Sequence, residues 1–116
     1  METANNSTAG NVVQTFLNAL NNEDFETARE CLNDDMKFEG VLGSRDGADA
    51  YIKDMQHMKF KYKIKKQLAD NTDVSVLYDI NMQGITILTA GWYHIKNGKI
   101  QTIKVIFDPR PALEKK

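Results

Sequence analysis

Glu39 stands in the stretch MKFEGVLGSRDG (residues 36–47), where two alternating apolar residues lead to a loop carrying Gly40, Gly43 and Gly47. A carboxylate at the end of a strand, beside a glycine-bearing loop, can serve as a general base at a pocket mouth. It then needs a raised pKa and a substrate within hydrogen-bond reach. The same residue is equally compatible with an ordinary solvated loop acid. His94 is a second acid/base candidate, because an unperturbed imidazole titrates near neutrality. Its place next to the Lys96–Lys99 turn also suits an exposed cross-strand histidine. His57 falls near the end of a helical segment, where the helix dipole favours a cation. Asp108 and Arg110 frame DPRP. Arg110 could hold a ligand carboxylate or phosphate with its planar fork, or the two charges could simply cap the sheet edge.

These groups do not build a metal site, because two distant histidines lack a third ligand at suitable spacing. No cofactor is expected. Cys31 is the single cysteine, which excludes an internal disulfide and a thiolate cluster, and its apolar helical setting suits a small core residue. Lys59, Lys61, Lys63 and Lys65 alternate with Phe60, Tyr62 and Ile64. On a strand that puts lysines and aromatics on opposite faces, so bases cannot stack beside the charges, and no nucleic-acid partner is expected.

Composition sets the frame for these candidates. The 116 residues suit one compact domain with its own core, 41% apolar and 27% charged residues exclude a disordered class, and a net charge of −1 gives no pull toward polyanions. No apolar run approaches the ~20 residues of a membrane span. The polar start METANNSTAG lacks the order of a secretory signal, so a cytoplasmic location is expected. Residues 1–9 read as a flexible lead-in, 10–113 as a single domain and 114–116 as a tail.

The elements that must position the candidates follow from periodicity. Val12, Val13, Phe16, Leu17 and Leu20 recur at helical spacing. Asp24 can cap a second, short helix carrying Phe25, Ala28, Cys31 and Leu32. Met36 and Phe38 read as a brief strand, and DGADAYIKDMQHM as a third helix. From residue 59 the period becomes two, through KFKYKIKKQL, DVSVLYDINM, ITILTAGWYHI and IQTIKVIFD, with Asn97-Gly98 making a hairpin turn. Helices followed by a four-strand antiparallel meander make an α+β fold. Alternation alone leaves open which strand face looks inward.

The segment VVQTFLNALNNEDFETARECLNDDMKFEGVLG (12–43), with the closing WYHIKNGKI and FDPRP, resembles the NTF2-like superfamily. The similarity is to its ketosteroid isomerase and SnoaL-like polyketide cyclase branch. The resemblance implies a cone-shaped α+β barrel, with helices on a curled, mostly antiparallel sheet, an apolar pocket, and a homodimer formed through the sheet. It places Glu39 at or near the base position of the isomerases. It also places Phe16 and about Gly91 where they keep oxyanion donors, and neither residue can donate from a side chain. Losing one such donor typically costs ~10²–10³ in rate, so steroid isomerisation is not expected.

Three readings follow. The first is a pocket protein that binds a small, largely apolar molecule without an assigned reaction, with Phe16, Tyr51, Met55, Trp92, Phe107 and Arg110 as lining or binding residues. The second is a cyclase- or isomerase-type enzyme using Glu39, with His94 or Asp108 as partner, which requires Glu39 to point inward. The third is an association module whose sheet makes a dimer.

Overall fold

The computed structural model describes residues 8–113. Helix α1 (Thr8–Asn21) buries Val13, Phe16, Leu17 and Leu20 along one stripe. Thr8 and Ala9 are already helical, inside the stretch expected to lead in; the remainder of that stretch and the expected tail lie outside the described residues. Helix α2 (Phe25–Glu30) starts where Asp24 accepts bonds from the Thr27 backbone N–H (3.2 Å) and hydroxyl (2.7 Å). Cys31 is buried as the C-cap of this helix.

Strand β1 (Leu32–Gly40) leads through a tight hairpin into β2 (Gly43–Asp46), and helix α3 (Ala48–Met58) follows. The meander is β3 (Lys61–Ala69), β4 (Asp73–Met82), β5 (Ile85–Lys96) and β6 (Lys99–Phe107), and a short helix α4 (Arg110–Leu113) closes the described chain. The order across the sheet is β2-β1-β6-β5-β4-β3. Every neighbouring pair is antiparallel except β1 with β6. The sheet is curled and open, with β2 and β3 as edges, so the cone is not a closed barrel. The helices cover its concave face. No helix among the described residues is long and apolar enough to cross a membrane.

Burial settles the open question of strand facing. Ile87, Thr89, Gly91, Tyr93 and Ile95 of β5 point into the core, whereas Leu88 and Trp92 are exposed. Val74, Val76, Tyr78 and Ile80 of β4 join the inner face. Asn21, the last residue of α1, ties helix to sheet: its side-chain amide donates to the Tyr62 carbonyl (2.8 Å) and its oxygen accepts from the Tyr62 N–H (2.7 Å). Edge strand β3 thereby satisfies backbone groups that would otherwise be orphaned at the helix junction.

Candidate functional site

Between α3 and the inner sheet face lies a cavity of about 270 Å³. Helix α3 contributes Tyr51, Met55 and Met58 to its wall because these positions recur at the spacing of one helical face. The sheet contributes Tyr78, Ile80, Tyr93, Val105 and Phe107, all on the inward register of their strands. The β1–β2 hairpin closes one side with Phe38, Val41 and Leu42. Phe38 packs its ring on Tyr51 at 5.2 Å between centroids.

All four tyrosines of the chain line this cavity. The Tyr78 and Tyr93 hydroxyls are hydrogen-bonded to each other at 2.6 Å. The Tyr62 hydroxyl donates to the Met55 sulfur at 3.7 Å. Tyr51 is 4% exposed, and its hydroxyl has no hydrogen-bond partner among the described residues. Burial holds every one of these phenols in the neutral form. It pushes Tyr78 up to about 12, with the bond from Tyr93 partly offsetting it. Burial also raises Tyr51, which the neighbouring Tyr78 phenol and Asp54 carboxylate push further, and it lifts Tyr62 and Tyr93 well above the ordinary phenol value. The site therefore presents O–H donors rather than phenolates at neutral pH.

Gly91 explains how the pair fits. A Cβ built at Gly91 would collide with the Tyr78 hydroxyl and would come within 3.0 Å of ring atoms of both Tyr78 and Tyr93. The position expected to lack a donor is thus overlaid by a phenol from the next strand, in register Val76↔Gly91.

At the rim, Arg45 of β2 grips Asp54 of α3 through two bonds, of 2.7 and 3.0 Å. Both line the cavity. Asp54 is the carboxylate that the lining offers, and Arg45 the cation. No group of three or more His, Cys, Asp or Glu among the described residues could hold a metal ion.

Of the candidate residues, Tyr51, Met55 and Phe107 line the cavity, and the others lie away from it. Phe16 lies one layer behind, 1% exposed, 6.4 Å from the rings of both Tyr51 and Tyr93. Glu39 points outward: with Phe38 and Gly40 on the inward register, alternation sends its side chain to the opposite face. There it is 62% exposed and 3.9 Å from Lys104. The inward Glu39 that the enzyme reading required is absent. Trp92 is on the same outer face, 52% exposed beneath the Lys104 ammonium. Arg110 pairs with Asp108 at 2.7 Å on the surface, and the two do not line the cavity. The arginine holds Asp108 down to about 2, so this carboxyl stays ionised at neutral pH.

His94 also faces outward, its Nδ1 2.9 Å from Asp73. Asp73 further accepts from the Thr72 hydroxyl and from the indole N–H of Trp92 at 2.6 Å. These bonds, that of His94 first, hold Asp73 below the ordinary carboxylate range. A depressed folded-state pKa contributes stability above the unfolded value and loses it as pH falls through the folded one. Trp92 is the only tryptophan, so its emission is expected to titrate with a midpoint below about 3.9. The Asp73→Asn variant should lack that transition in an acid fluorescence titration.

A family model for the SnoaL-like domain matches residues 13–103. The chain belongs to the SnoaL-like domain family. A solved NTF2-like protein of unknown function from Cytophaga hutchinsonii is 42% identical to this SnoaL-like domain. It superposes with a TM-score of 0.90 over 97% of this chain and 99% of that one. An LEH-like epoxide hydrolase from Mycobacterium tuberculosis is 26% identical, with a TM-score of 0.81 over 92% and 87% of the two chains. Among curated proteins, Epoxide hydrolase EphG of Mycobacterium tuberculosis is 29% identical over 108 residues, covering 83% of this chain and 70% of that protein.

Sequence reasoning missed Tyr62, Tyr78, Tyr93, Arg45 and Asp54 of this SnoaL-like domain. A usable signal existed for the tyrosines. Each lies on the apolar register of its strand, and a phenol buried there must spend or offer its hydroxyl. Arg45 and Asp54 are nine residues apart on different elements, and their pairing carries no local pattern.

Proposed function

We propose that this SnoaL-like domain binds a small, neutral, largely apolar molecule in its cone. The carrying observation is the cavity between α3 and the inner sheet face, walled by Met55, Met58, Ile80, Val105 and Phe107 and furnished with neutral phenols. Its volume of about 270 Å³ is just below the roughly 300–1,000 Å³ of drug-sized sites, which favours a compact ligand. The test uses a neutral fluorescent probe such as N-phenyl-1-naphthylamine. Val105→Trp, which fills the cavity from the inner register, should weaken binding about tenfold or more, and Trp92→Ala on the outer face should leave it unchanged. The reverse pattern would place the probe on the outer face and refute the reading.

A second reading rests on Asp54 lying at the cavity rim with Tyr51, together with the epoxide hydrolase similarity found both among curated proteins and among solved structures. Asp54 would take a proton from water as the oxygen attacks an epoxide carbon. The carbon–oxygen bond breaks, and a phenol protonates the departing oxygen to give a diol. Turnover of styrene oxide that disappears in Asp54→Asn, with binding retained, supports it; no turnover by the wild type removes it.

The outer sheet face is assigned to a second copy of the chain. Leu77, Ala90 and Ile106 lie side by side in register, next to exposed Leu88 and Trp92. The Glu39–Lys104 pair brings charge of both signs to the patch, as a face meeting itself requires. Sedimentation equilibrium should give a dimer, and a clean monomer at high concentration would contradict this assignment.

A further inference from the structure

The polar groups inside the cone do not all find partners within the protein. Thr89, 1% exposed, donates to the Ile87 carbonyl at 3.0 Å, and Tyr62 donates to Met55. The Tyr78 and Tyr93 hydroxyls share one bond. Two hydroxyls carry two protons, and one bond between them uses one. Whichever phenol donates, the other keeps a proton with no acceptor among the described residues. The Tyr51 hydroxyl likewise has none, although the residue is almost wholly buried. The Tyr51 oxygen is not sealed off, however: it opens onto the cavity, where a ligand or an ordered water can complete it. Tyr51, Tyr78 and Tyr93 line the same cavity, and Phe16 packs 6.4 Å from the rings of both Tyr51 and Tyr93, so the open donors belong to one region of it.

We infer that Tyr51 and the Tyr78–Tyr93 pair form a built donor site for an acceptor oxygen of a neutral ligand, of the carbonyl or ether class. This assignment rests on the ligand-binding reading above and narrows it. A carbonyl oxygen has two lone pairs, which suits a site with two open donors. An anionic ligand fits poorly: the charge of Arg45 is already taken by Asp54 through two bonds, and a bare carboxylate against these apolar walls loses its hydration without a counter-ion.

The experiment compares three probes of nearly the same shape: 1-tetralone, tetralin and 1,2,3,4-tetrahydro-1-naphthoate. Affinities are measured by ligand-observed NMR on the wild type, on Tyr51→Phe and on Tyr51→Phe/Tyr78→Phe/Tyr93→Phe, since removing Tyr78 alone would free the Tyr93 hydroxyl. Tyr51→Phe breaks no bond within the protein, so it keeps the fold, and thermal unfolding of each variant checks this. The wild type should prefer the ketone over the hydrocarbon about tenfold, the yield of one or two net hydrogen bonds. That preference should shrink in Tyr51→Phe and vanish in the triple variant, which leaves no phenol proton of Tyr51, Tyr78 or Tyr93 in the cavity, with tetralin affinity held within about twofold and the naphthoate not binding. Equal affinity for ketone and hydrocarbon in the wild type would overturn the donor site and leave the apolar pocket standing. A preference that survives all three substitutions, or tight naphthoate binding, would overturn it as well. Binding of none of the three would remove the ligand-binding reading together with this one.

Discussion

Gly91→Val should lower the unfolding free energy by about 3 kcal/mol, the sum of overpacking and a lost buried hydrogen bond. A side chain at this position meets the Tyr78 hydroxyl and ring atoms of both Tyr78 and Tyr93 at once. Relief would require two rings to move. Tyr78 is 1% exposed and Tyr93 2% exposed, and the hydroxyls are joined at 2.6 Å. Tyr62 packs on Tyr78 at 5.5 Å and Phe16 lies edge-on to Tyr93 at 6.4 Å, so the rings could yield only toward the cavity, at the cost of the bond between them. The chain therefore needs glycine here because the neighbouring strand's side chain occupies the space; Gly91 has no left-handed φ that would demand it. Urea unfolding of the variant measures the loss, and a change below about 1 kcal/mol would show that the phenols can yield. Ketone preference in the cone should fall with it, because the pair is displaced.

Phe16→Ala should cost more, about 4 kcal/mol, in the range found when a fully buried aromatic is truncated. Phe16 is the residue through which α1 supports the cavity's back wall, stacked on Tyr51 and edge-on to Tyr93. Its removal leaves a void that the surrounding β-sheet cannot fill by collapse. The two losses will not add in a double variant, since both act on Tyr93. A Phe16→Ala protein within about 1 kcal/mol of wild type in urea would mean that α1 does not hold the tyrosines in place.

The sequence carried the fold well where hydrophobic period was unambiguous. The stripe of α1 and the alternation of β4 and β5 placed helices and meander correctly, and the family's segment order supplied the cone. It did not carry β2, whose GSRD is exposed at all four positions and holds no period. Nor did it carry the parallel pairing of β1 with β6, which joins residues more than sixty positions apart through the whole meander, as in Phe38↔Ile103. The site fared worse. Glu39 attracted notice because its loop matched an isomerase base position, yet a one-residue alternation separates inward Phe38 from outward Glu39. Trp92 and His94 fell on the wrong face for the same reason. The proposed donors were hidden because tyrosines on an apolar register look like core, and only their hydroxyl contacts separate a satisfied phenol from an open one.

The proposed function requires a neutral ligand to enter the cone. The most direct test is a ¹H–¹⁵N chemical-shift map of the protein titrated with 1-tetralone, in which the indole N–H of Trp92 reports on the outer face. Perturbations should gather at Tyr51, Met55, Tyr78, Tyr93 and Val105, with the Trp92 indole signal unmoved. Shifts confined to Trp92, Leu88 and Ile106, or no shifts at saturating ketone, would contradict it.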